Sequence, residues 1–210
     1  MLVHRGWGRD PVVLVDQVRA LTRGAKVHPV GRLDRGASGL VLFGLSAEVA
    51  HNMSELRKQG EIRKQYLALV RGRPPDHGEI DHPIPKRPGG PRVRALTIFK
   101  CLSSVDCRPR QVSLVEVEPK TGRLHQVRRH LKHISHPLIG DANYGKGKIN
   151  RAMLSNYQLD RLALHAHMLE LRHPVSQNRL RLFAPVAEDL SRPLELMGFK
   201  ESVWKDLIDN

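Results

Sequence analysis

A carboxylate flanked by two arginines stands in a glycine-rich segment of the chain. Asp34 lies between Arg32 and Arg35 in the stretch GRLDRGASG, which runs into the apolar residues 39–43. An ionised carboxylate can act as a nucleophile or stabilise positive charge in a substrate. The alternative is a surface turn whose charges neutralise one another. Which interpretation holds depends on the residues that the fold brings to Asp34.

The composition indicates the class of partner. The 210 residues include 35 Lys and Arg against 21 Asp and Glu, which leaves a net charge of +14. A domain this basic is typical of one that binds a polyanion, because neutralising phosphates releases condensed counterions. Aromatic residues form only 4% of the chain, too few for a surface that stacks successive bases. We therefore predict structured RNA as the partner; a generally basic protein is the alternative.

Histidines form a second group of residues that could do chemistry. They occur in two clusters, which are His125, His130, His133 and His136, then His165 and His167. Histidines three to five residues apart can converge on a helix face and bind zinc, which would suit a metal-dependent nuclease. The HExxH pattern is missing. We therefore predict no metal site and expect these histidines to add to a surface that faces RNA.

Several other classes of protein are disfavoured. No apolar run approaches the length of a membrane span, and the first ten residues lack the apolar core of a secretory signal. Neither GxGxxG nor a Walker loop occurs, so we predict no cofactor. Cys101 and Cys107 suit neither a CxxC redox pair nor a zinc knuckle. We expect a cytoplasmic protein with free thiols.

The elements that position these residues can be predicted from their patterns. The apolar run 39–43 predicts a buried strand, and Ser46 and Gly60 are typical of the two ends of a helix. Residues 61–71 alternate as a strand whose single buried face includes Tyr66. The later elements are a long loop over 73–94, strands over 96–102 and 111–118, a turn at 119–122, a helix over 124–134, a hairpin over 162–171 and 179–184, and two helical pieces over 189–210.

This order of elements indicates an α+β fold with a largely antiparallel sheet, flanked by helices and loops. Within the loop, residues 85–94 could close over RNA or be disordered. The helix over 124–134 has one apolar stripe, and its other faces are basic. These faces predict contact with an RNA backbone, unless they form an ordinary solvated surface. The basic residues are His125, Arg128, Arg129 and Lys132.

Four segments resemble, in the same order, the motifs of one enzyme family. GRLDRGASGLVLF is similar to RLD-x-x-(T/S)SG-L, and RKQYLALVRG to K-x-Y-x-A-x-V-x-G. EPKTGRLHQVRRHLKHISHPLIGD resembles TGR-x-HQ(I/L)R-x-H followed by HP-x-x-GD, and LALHAHMLELRHP resembles LHA-x-x-L-x-x-HP. The family is that of the RluA-type pseudouridine synthases, and the resemblance covers about residues 3–186. Four motifs in register are far more specific than any one of them.

The resemblance implies a pseudouridine-synthase-like catalytic domain that isomerises a uridine of RNA without a cofactor. It implies that Asp34 is the catalytic carboxylate and Arg123 its charge partner. Tyr66 would pack on the flipped uracil, and its hydroxyl could move a proton. Family mechanisms differ on whether the aspartate attacks the sugar, attacks the base or assists a glycal route. The residues that we expect to contact RNA are Arg32, Arg35, Lys64, His125, Arg128, Arg129 and Lys132.

Two segments are similar to one branch of this family, which contains the tRNA pseudouridine synthase C enzymes. They are VHRGWGRD and RRHLKHISHPLIGDANYGKGKINR. This similarity implies a target uridine in the lower part of the tRNA acceptor stem. The nucleotide must leave its stack before it can react. The alternatives are a ribosomal RNA enzyme of the same family and a catalytically weak or inactive homologue that only binds RNA.

The chain departs from the family pattern in three places. The usual opening with N-K-P-x-G is missing, Gly31 stands where His is common, and Gly36-Ala37 replaces a pair that usually ends in Thr. We expect the last two changes to loosen the loop that holds Asp34. Over residues 1–210 we expect one catalytic domain and a monomer. It would lack the usual N-terminal strand and a separate RNA-binding module.

Overall fold

The computed structural model of this protein describes residues 13–87 and 89–209. The helices are α1 (Leu14–Leu21), α2 (Ala47–Gln59), α3 (Gln126–His133), α4 (Gly147–Tyr157), α5 (Glu188–Met197) and α6 (Ser202–Asp209). The strands are β1 (His28–Pro29), β2 (Ser38–Gly39), β3 (Phe43–Gly44), β4 (Arg63–Arg71), β5 (His77–Asp81), β6 (Ile84–Pro85), β7 (Arg92–Val93), β8 (Leu96–Val105), β9 (Val112–Pro119), β10 (Leu164–Arg172) and β11 (Arg179–Phe183).

A seven-stranded sheet forms the centre of the fold. Six strands follow the order β11-β10-β4-β9-β8-β5, and every neighbouring pair among them is antiparallel. Strand β2 joins the sheet by pairing with β10 in parallel. The predicted α+β fold with a mostly antiparallel sheet is confirmed, as is the hairpin formed by β10 and β11.

Strand β4 is buried on both faces, so the prediction of a single buried face was wrong. Residues Leu67 to Val70 are each at most 1% exposed. Leu67 and Leu69 pack with residues of α5 and α6, whereas Ala68 and Val70 pack with residues of α3. Because β4 lies in the middle of the sheet with helices on both sides, its core positions form a continuous apolar run rather than an alternation.

Helix α2 matches its predicted limits closely. The Ser46 hydroxyl accepts a hydrogen bond from the Val49 amide at 3.2 Å, which caps the first turn. Gly60 ends the helix with a φ of 81°, a conformation that glycine adopts without steric cost. Ala50 and Met53 pack with Leu169 of β10 and bury the inner face of the helix. This helix therefore forms one wall beside the sheet.

Two other predictions need correction. Residues 39–43 do not form one buried strand, because β2 and β3 contribute only two residues each and the residues between them are half-buried. The segment 73–94 is not a long loop either. It holds edge strand β5 and the β6–β7 pair, in which Ile84 lies opposite Val93. Its prolines and glycines mark short turns between these strands.

The helix predicted over 124–134 is shorter than expected, because α3 begins at Gln126. The two helical pieces at the end of the chain are confirmed as α5 and α6. Helix α4 was not predicted, although its fully buried Met153 belongs to the same core as Leu190 and Leu194 of α5. No helix within 13–87 and 89–209 is long and apolar enough to cross a membrane.

Candidate active site

Asp34 lies in a tight loop that is pressed against strand β10. The Ala37 amide donates a hydrogen bond to the Asp34 carbonyl at 2.9 Å and closes a turn. Gly39 has a φ of 103°, and a Cβ atom at this position would come within 2.2 Å of the Ala166 carbonyl oxygen. Only glycine permits this close approach. The downstream end of the loop thus lies against the backbone of β10, and the expected loosening by Gly31 and Gly36-Ala37 stays a prediction.

Arg128 joins two carboxylates beneath the cleft. Its Nε and Nη2 atoms donate to the two oxygens of Asp141 at 2.7 and 2.8 Å, in a bidentate pair. Its remaining Nη1 atom donates to Asp34 Oδ2 at 3.3 Å. Burial alone would lower the pKa of Arg128, but Asp141 and Asp34 raise it. Arg128 is therefore permanently charged and places a cation beside Asp34.

Asp141 is fully buried and completely paired. Burial by itself would raise its pKa, but hydrogen bonds from Arg128 and from the amides of Tyr144 and Asn143 lower it. The carboxylate is therefore ionised at neutral pH and holds the guanidinium in one orientation.

The arginine beside Asp34 is not the one that the sequence motifs indicated. Arg123 is exposed, and its Nε atom donates to the Arg94 carbonyl at 3.0 Å. The charge partner of Asp34 is Arg128, five residues further along and in the first turn of α3. Arg123 instead stands on the lining of the cleft. The prediction that Arg123 is the charge partner of Asp34 was therefore wrong. A contact between Arg123 and the substrate stays a prediction.

The expected RNA-facing role of Arg128 also needs correction. The side chain is 7% exposed and is occupied by two carboxylates, so it cannot lie on a solvated basic face. Helix α3 packs against the sheet through Val127 and Leu131. On its outer side Arg129 Nε donates to the Tyr144 hydroxyl at 3.0 Å. Lys132 is exposed, and its Nζ atom lies 5.6 Å from the centre of the Tyr144 ring.

Tyr66 and Lys64 of β4 line the same cleft as Asp34, and alternate residues of a strand share a face. Burial and the charge of Asp34 raise the pKa of Tyr66 to about 12. The hydroxyl is therefore protonated at neutral pH, where it can donate a hydrogen bond but cannot serve as a base. Burial, together with the charge of Arg57, lowers the pKa of Lys64 to about 8.

His125 borders Asp34 on the other side. Its Nε2 atom lies 3.9 Å from Asp34 Oδ1, and its Nδ1 atom lies 3.2 Å from the Tyr144 hydroxyl. Burial lowers the pKa of His125, although the charge of Asp34 opposes that effect. The imidazole is therefore mostly neutral at pH 7, so Arg128 is the cation beside the carboxylate.

A hydrogen-bonded chain fixes the segment from Thr121 to Gln126 against β8. The Gln126 side-chain oxygen accepts from the Thr121 hydroxyl at 2.7 Å and from the Arg123 amide at 3.0 Å. Its amide nitrogen donates to the Leu96 carbonyl and to the Thr97 hydroxyl. Every polar group of this buried glutamine is satisfied, so the loop before α3 is rigid.

Three of the six clustered histidines are buried rather than facing RNA, which corrects that expectation. His130, His165 and His167 are each at most 2% exposed. Burial lowers the pKa of His130 and of His165. Within the part of the chain that the structure describes, no group of three histidine, cysteine or acidic residues could hold a metal ion.

Asp34, Tyr66 and His125 line one cleft of about 720 Å³, which lies between the end of α2 and the start of α3. Asp34 is 17% exposed at its floor. Arg32 and Arg123 are exposed residues of its lining, with Leu124 beside them. Arg35 is exposed but does not line the cleft. A recessed carboxylate with cations around the opening suits an anionic polymer that inserts one residue.

The sequence pattern of a known family covers most of this site. The pattern, described as RNA pseudouridylate synthase, matches residues 6–133, more than half of the chain. The chain belongs to the RNA pseudouridylate synthase family. This result confirms the resemblance to RluA-type pseudouridine synthases, and Asp34, Lys64, Tyr66, Arg123 and Arg128 all lie within the matched segment.

Individual members of the RNA pseudouridylate synthase family extend the match over nearly the whole chain. A tRNA pseudouridine synthase C of Haemophilus ducreyi is 37% identical over 201 residues, covering 88% of this chain and 83% of the relative. A tRNA pseudouridine synthase C of Salmonella typhimurium is 36% identical over 217 residues, covering 95% and 84%.

Solved structures of the same family share the fold. Human RNA Pseudouridylate Synthase Domain Containing 4 superposes with a TM-score of 0.73 at 24% identity, covering 94% of this chain and 86% of that one. Human RNA Pseudouridylate Synthase Domain Containing 1 gives a TM-score of 0.72 at 24% identity, covering 90% and 85%.

The sequence did not lead us to predict two residues of the site, Asp141 and Tyr144. Asp141 anchors Arg128, and Tyr144 contacts both His125 and Arg129. Asp141 stands in the HP-x-x-GD part of the third motif, which is the signal that points to it. For Tyr144 the sequence offers no such signal, because its role depends on three side chains that meet only in the folded protein.

Proposed function

We propose that this protein isomerises a uridine of tRNA to pseudouridine, with Asp34 as the catalytic carboxylate. The observation that carries the proposal is the pairing of Asp34 with Arg128 on the floor of a cleft with a basic rim. Relatives that are 36–37% identical over most of the chain are named tRNA pseudouridine synthase C. Their name supports tRNA as the substrate, and we place the target uridine in the acceptor stem.

The reaction breaks the bond between N1 of uracil and C1′ of ribose and forms a bond from C5 to the same carbon. C5 loses its hydrogen as a proton, and N1 gains one, so the base is rearranged without an external oxidant, reductant or group donor. Asp34 supplies the carboxylate that reacts with, or stabilises, the substrate while the glycosidic bond is broken. The arginine beside it is present before the substrate arrives, so the site needs little reorganisation.

The surrounding residues have separate tasks in this proposal. The recessed position of Asp34 requires the nucleotide to leave its stack and enter the cleft. Tyr66 lies beside Asp34 and packs on the extruded base, with its hydroxyl available as a donor. Arg32, Lys64 and Arg123 contact phosphates near the cleft, because cations at the opening neutralise the RNA backbone there.

The test measures tritium release from tRNA that contains 5-tritiated uridine, for the wild type and Asp34→Asn. C5 loses its hydrogen only when the new glycosidic bond forms there. We expect release by the wild type alone, with the dissociation constants of the two proteins for tRNA within a few fold. Release by both proteins would refute the role of Asp34. Release from ribosomal RNA but not from tRNA would refute the proposed substrate, and release from neither RNA would refute the activity.

A further inference from the structure

Behind the Asp34 loop, away from the cleft, three polar side chains form a connected chain. His165 of β10 has its Nδ1 atom 2.7 Å from the Ser38 hydroxyl, and its Nε2 atom lies 3.1 Å from the Ala184 carbonyl. Arg161 Nη2 donates to the same hydroxyl at 2.7 Å. The Arg161 Nη1 atom pairs with Asp189 of α5 at 2.6 Å. Ser38 thus links the loop to β10 and, through Arg161, to α5.

The direction of each hydrogen bond follows from the groups involved. The Ala184 carbonyl can only accept, so Nε2 of His165 carries the proton. In the neutral imidazole Nδ1 is then an acceptor, and the Ser38 hydroxyl donates to it. Burial favours this neutral form by lowering the pKa of His165. The Ser38 oxygen accepts from Arg161, so the donor and an acceptor site of the hydroxyl are both in use.

We propose that Ser38, His165 and Arg161 position the catalytic carboxylate, by fixing the downstream end of the Asp34 loop. Ser38 is only four positions after Asp34, and the turn between them is closed by the hydrogen bond from Ala37. A displacement of Ser38 would therefore also displace Asp34. Asp34 meets Arg128 through one bond of 3.3 Å, a contact that a small displacement would break.

The upstream end of the loop has a different kind of support. The Val30 amide donates to the Leu42 carbonyl at 2.9 Å, which ties the two ends of the loop to each other rather than to the sheet. The hydrogen-bonded links between this part of the described chain and β10 include the parallel pairing of β2, the Leu40 amide bond to Ala166 and the Ser38 side chain. The Ser38 link is the only one of these three that a side-chain substitution can remove while the backbone is kept.

This inference rests on the proposed function, and the experiment compares three variants by single-turnover tritium release at saturating protein. Ser38→Ala removes the hydroxyl, Ser38→Thr keeps it, and Ser54→Ala is a matched control. Ser54 is another half-buried serine, whose hydroxyl donates to the Ala50 carbonyl within α2. The tRNA dissociation constant and the melting temperature of each variant are measured alongside.

We expect Ser38→Ala to slow the single-turnover rate about ten- to a hundredfold, with the tRNA dissociation constant within about threefold of wild type. Ser38→Thr and Ser54→Ala should keep rates within about threefold of wild type. A lower melting temperature for Ser38→Ala with an unchanged rate would overturn the proposal, because the chain would then be merely structural. Binding of tRNA that is about ten- to a hundredfold weaker for Ser38→Ala, with an unchanged single-turnover rate, would overturn the proposal as well.

His165→Gln provides a second route if Ser38→Ala does not fold. The glutamine amide keeps a donor for the Ala184 carbonyl but brings no acceptor to the position of Nδ1. We expect the same loss of rate as for Ser38→Ala, and a wild-type rate would overturn the proposal. Absence of tritium release from the wild type itself would instead refute the proposed function.

Discussion

Asp34 and Asp141 share a single guanidinium, and the sharing is unequal. Asp141 holds two nitrogens of Arg128 at 2.7 and 2.8 Å, whereas Asp34 receives one bond at 3.3 Å. The buried pair orients the arginine, and the weaker contact leaves Asp34 accessible from the cleft. A carboxylate that must react is thus supported without being fully occupied.

Replacing Arg128 by Lys tests this arrangement. A lysine keeps the charge but cannot donate to two carboxylates in the fixed geometry of a guanidinium. We expect the free energy of unfolding to fall by about 2 kcal/mol, because buried carboxylate oxygens lose hydrogen-bond donors while the charge is kept. Urea unfolding measures that loss, and product formation should fall at least about tenfold. Arg129→Lys is the matched control, because Arg129 contacts neither carboxylate; equal effects of the two substitutions would contradict the prediction.

Lys64 should make RNA binding depend on pH. Burial, with the charge of Arg57, lowers its pKa to about 8, so its positive charge is present below that pH and is lost above it. We expect the tRNA dissociation constant of the wild type to rise between about pH 7 and about pH 9, measured by filter binding at constant ionic strength. Lys64→Arg should remove this dependence, because arginine stays charged. The same rise in both proteins would show that another group titrates.

Helix α3 and strand β8 are joined by a buried network that contains a histidine. His130 Nε2 lies 2.9 Å from the His82 carbonyl and Nδ1 lies 2.9 Å from the Thr97 hydroxyl, which also accepts from Gln126. The carbonyl can only accept, so Nε2 carries a proton. Burial lowers the pKa of His130 and so favours the neutral imidazole, in which Thr97 donates to Nδ1. The start of α3, and with it Arg128, is thereby held to the sheet.

This network should make the fold sensitive to acid. Burial lowers the pKa of folded His130, so the unfolded chain binds a proton more readily, and the stability contribution present above about pH 6.5 is lost as pH falls. We expect the melting temperature to decline from about pH 7 to about pH 5, and less steeply in His130→Gln. His77→Gln, at an exposed histidine of edge strand β5, should decline as the wild type does. Parallel curves for all three proteins would contradict the prediction.

Helices cover both faces of the central sheet. The layer of α4, α5 and α6 covers one face of the sheet, and α3 covers the other face beside the cleft. Arg32 and Arg123 are exposed on the cleft side, whereas Lys200 lies between α5 and α6 on the opposite side. RNA that reaches Asp34 must therefore approach from the face that carries the cleft.

The salt dependence of RNA binding should locate that face. Replacing both Arg32 and Arg123 by Ala removes two phosphate contacts. In a plot of the logarithm of affinity against the logarithm of salt concentration, the negative slope should therefore become shallower by about two. The same double substitution at Arg192 and Lys200, on the opposite side, should leave the slope unchanged. Fluorescence anisotropy over a range of salt concentrations measures both. An unchanged slope for the cleft-side variant would mean that RNA does not contact the rim.

The four motifs and the local signals determined most of what is known of this protein. The motifs identified the family and, through the resemblance, assigned Asp34, Tyr66 and Lys64 to one site. The α+β class followed from the order of the predicted elements, because local patterns of apolar and polar residues indicate each element. The limits of α2 were predictable for the same reason, since Ser46 and Gly60 act on the helix that they adjoin.

Only the tertiary structure decided which arginine faces Asp34. Arg123 and Arg128 belong to the same motif, and their environments differ. Arg128 is buried beside Asp141, whereas Arg123 is exposed. The burial of β4 on both faces and of His130 and His165 likewise depends on which elements pack together. Contacts between residues far apart in sequence are set by the packing of sheet and helices, and no local pattern encodes them.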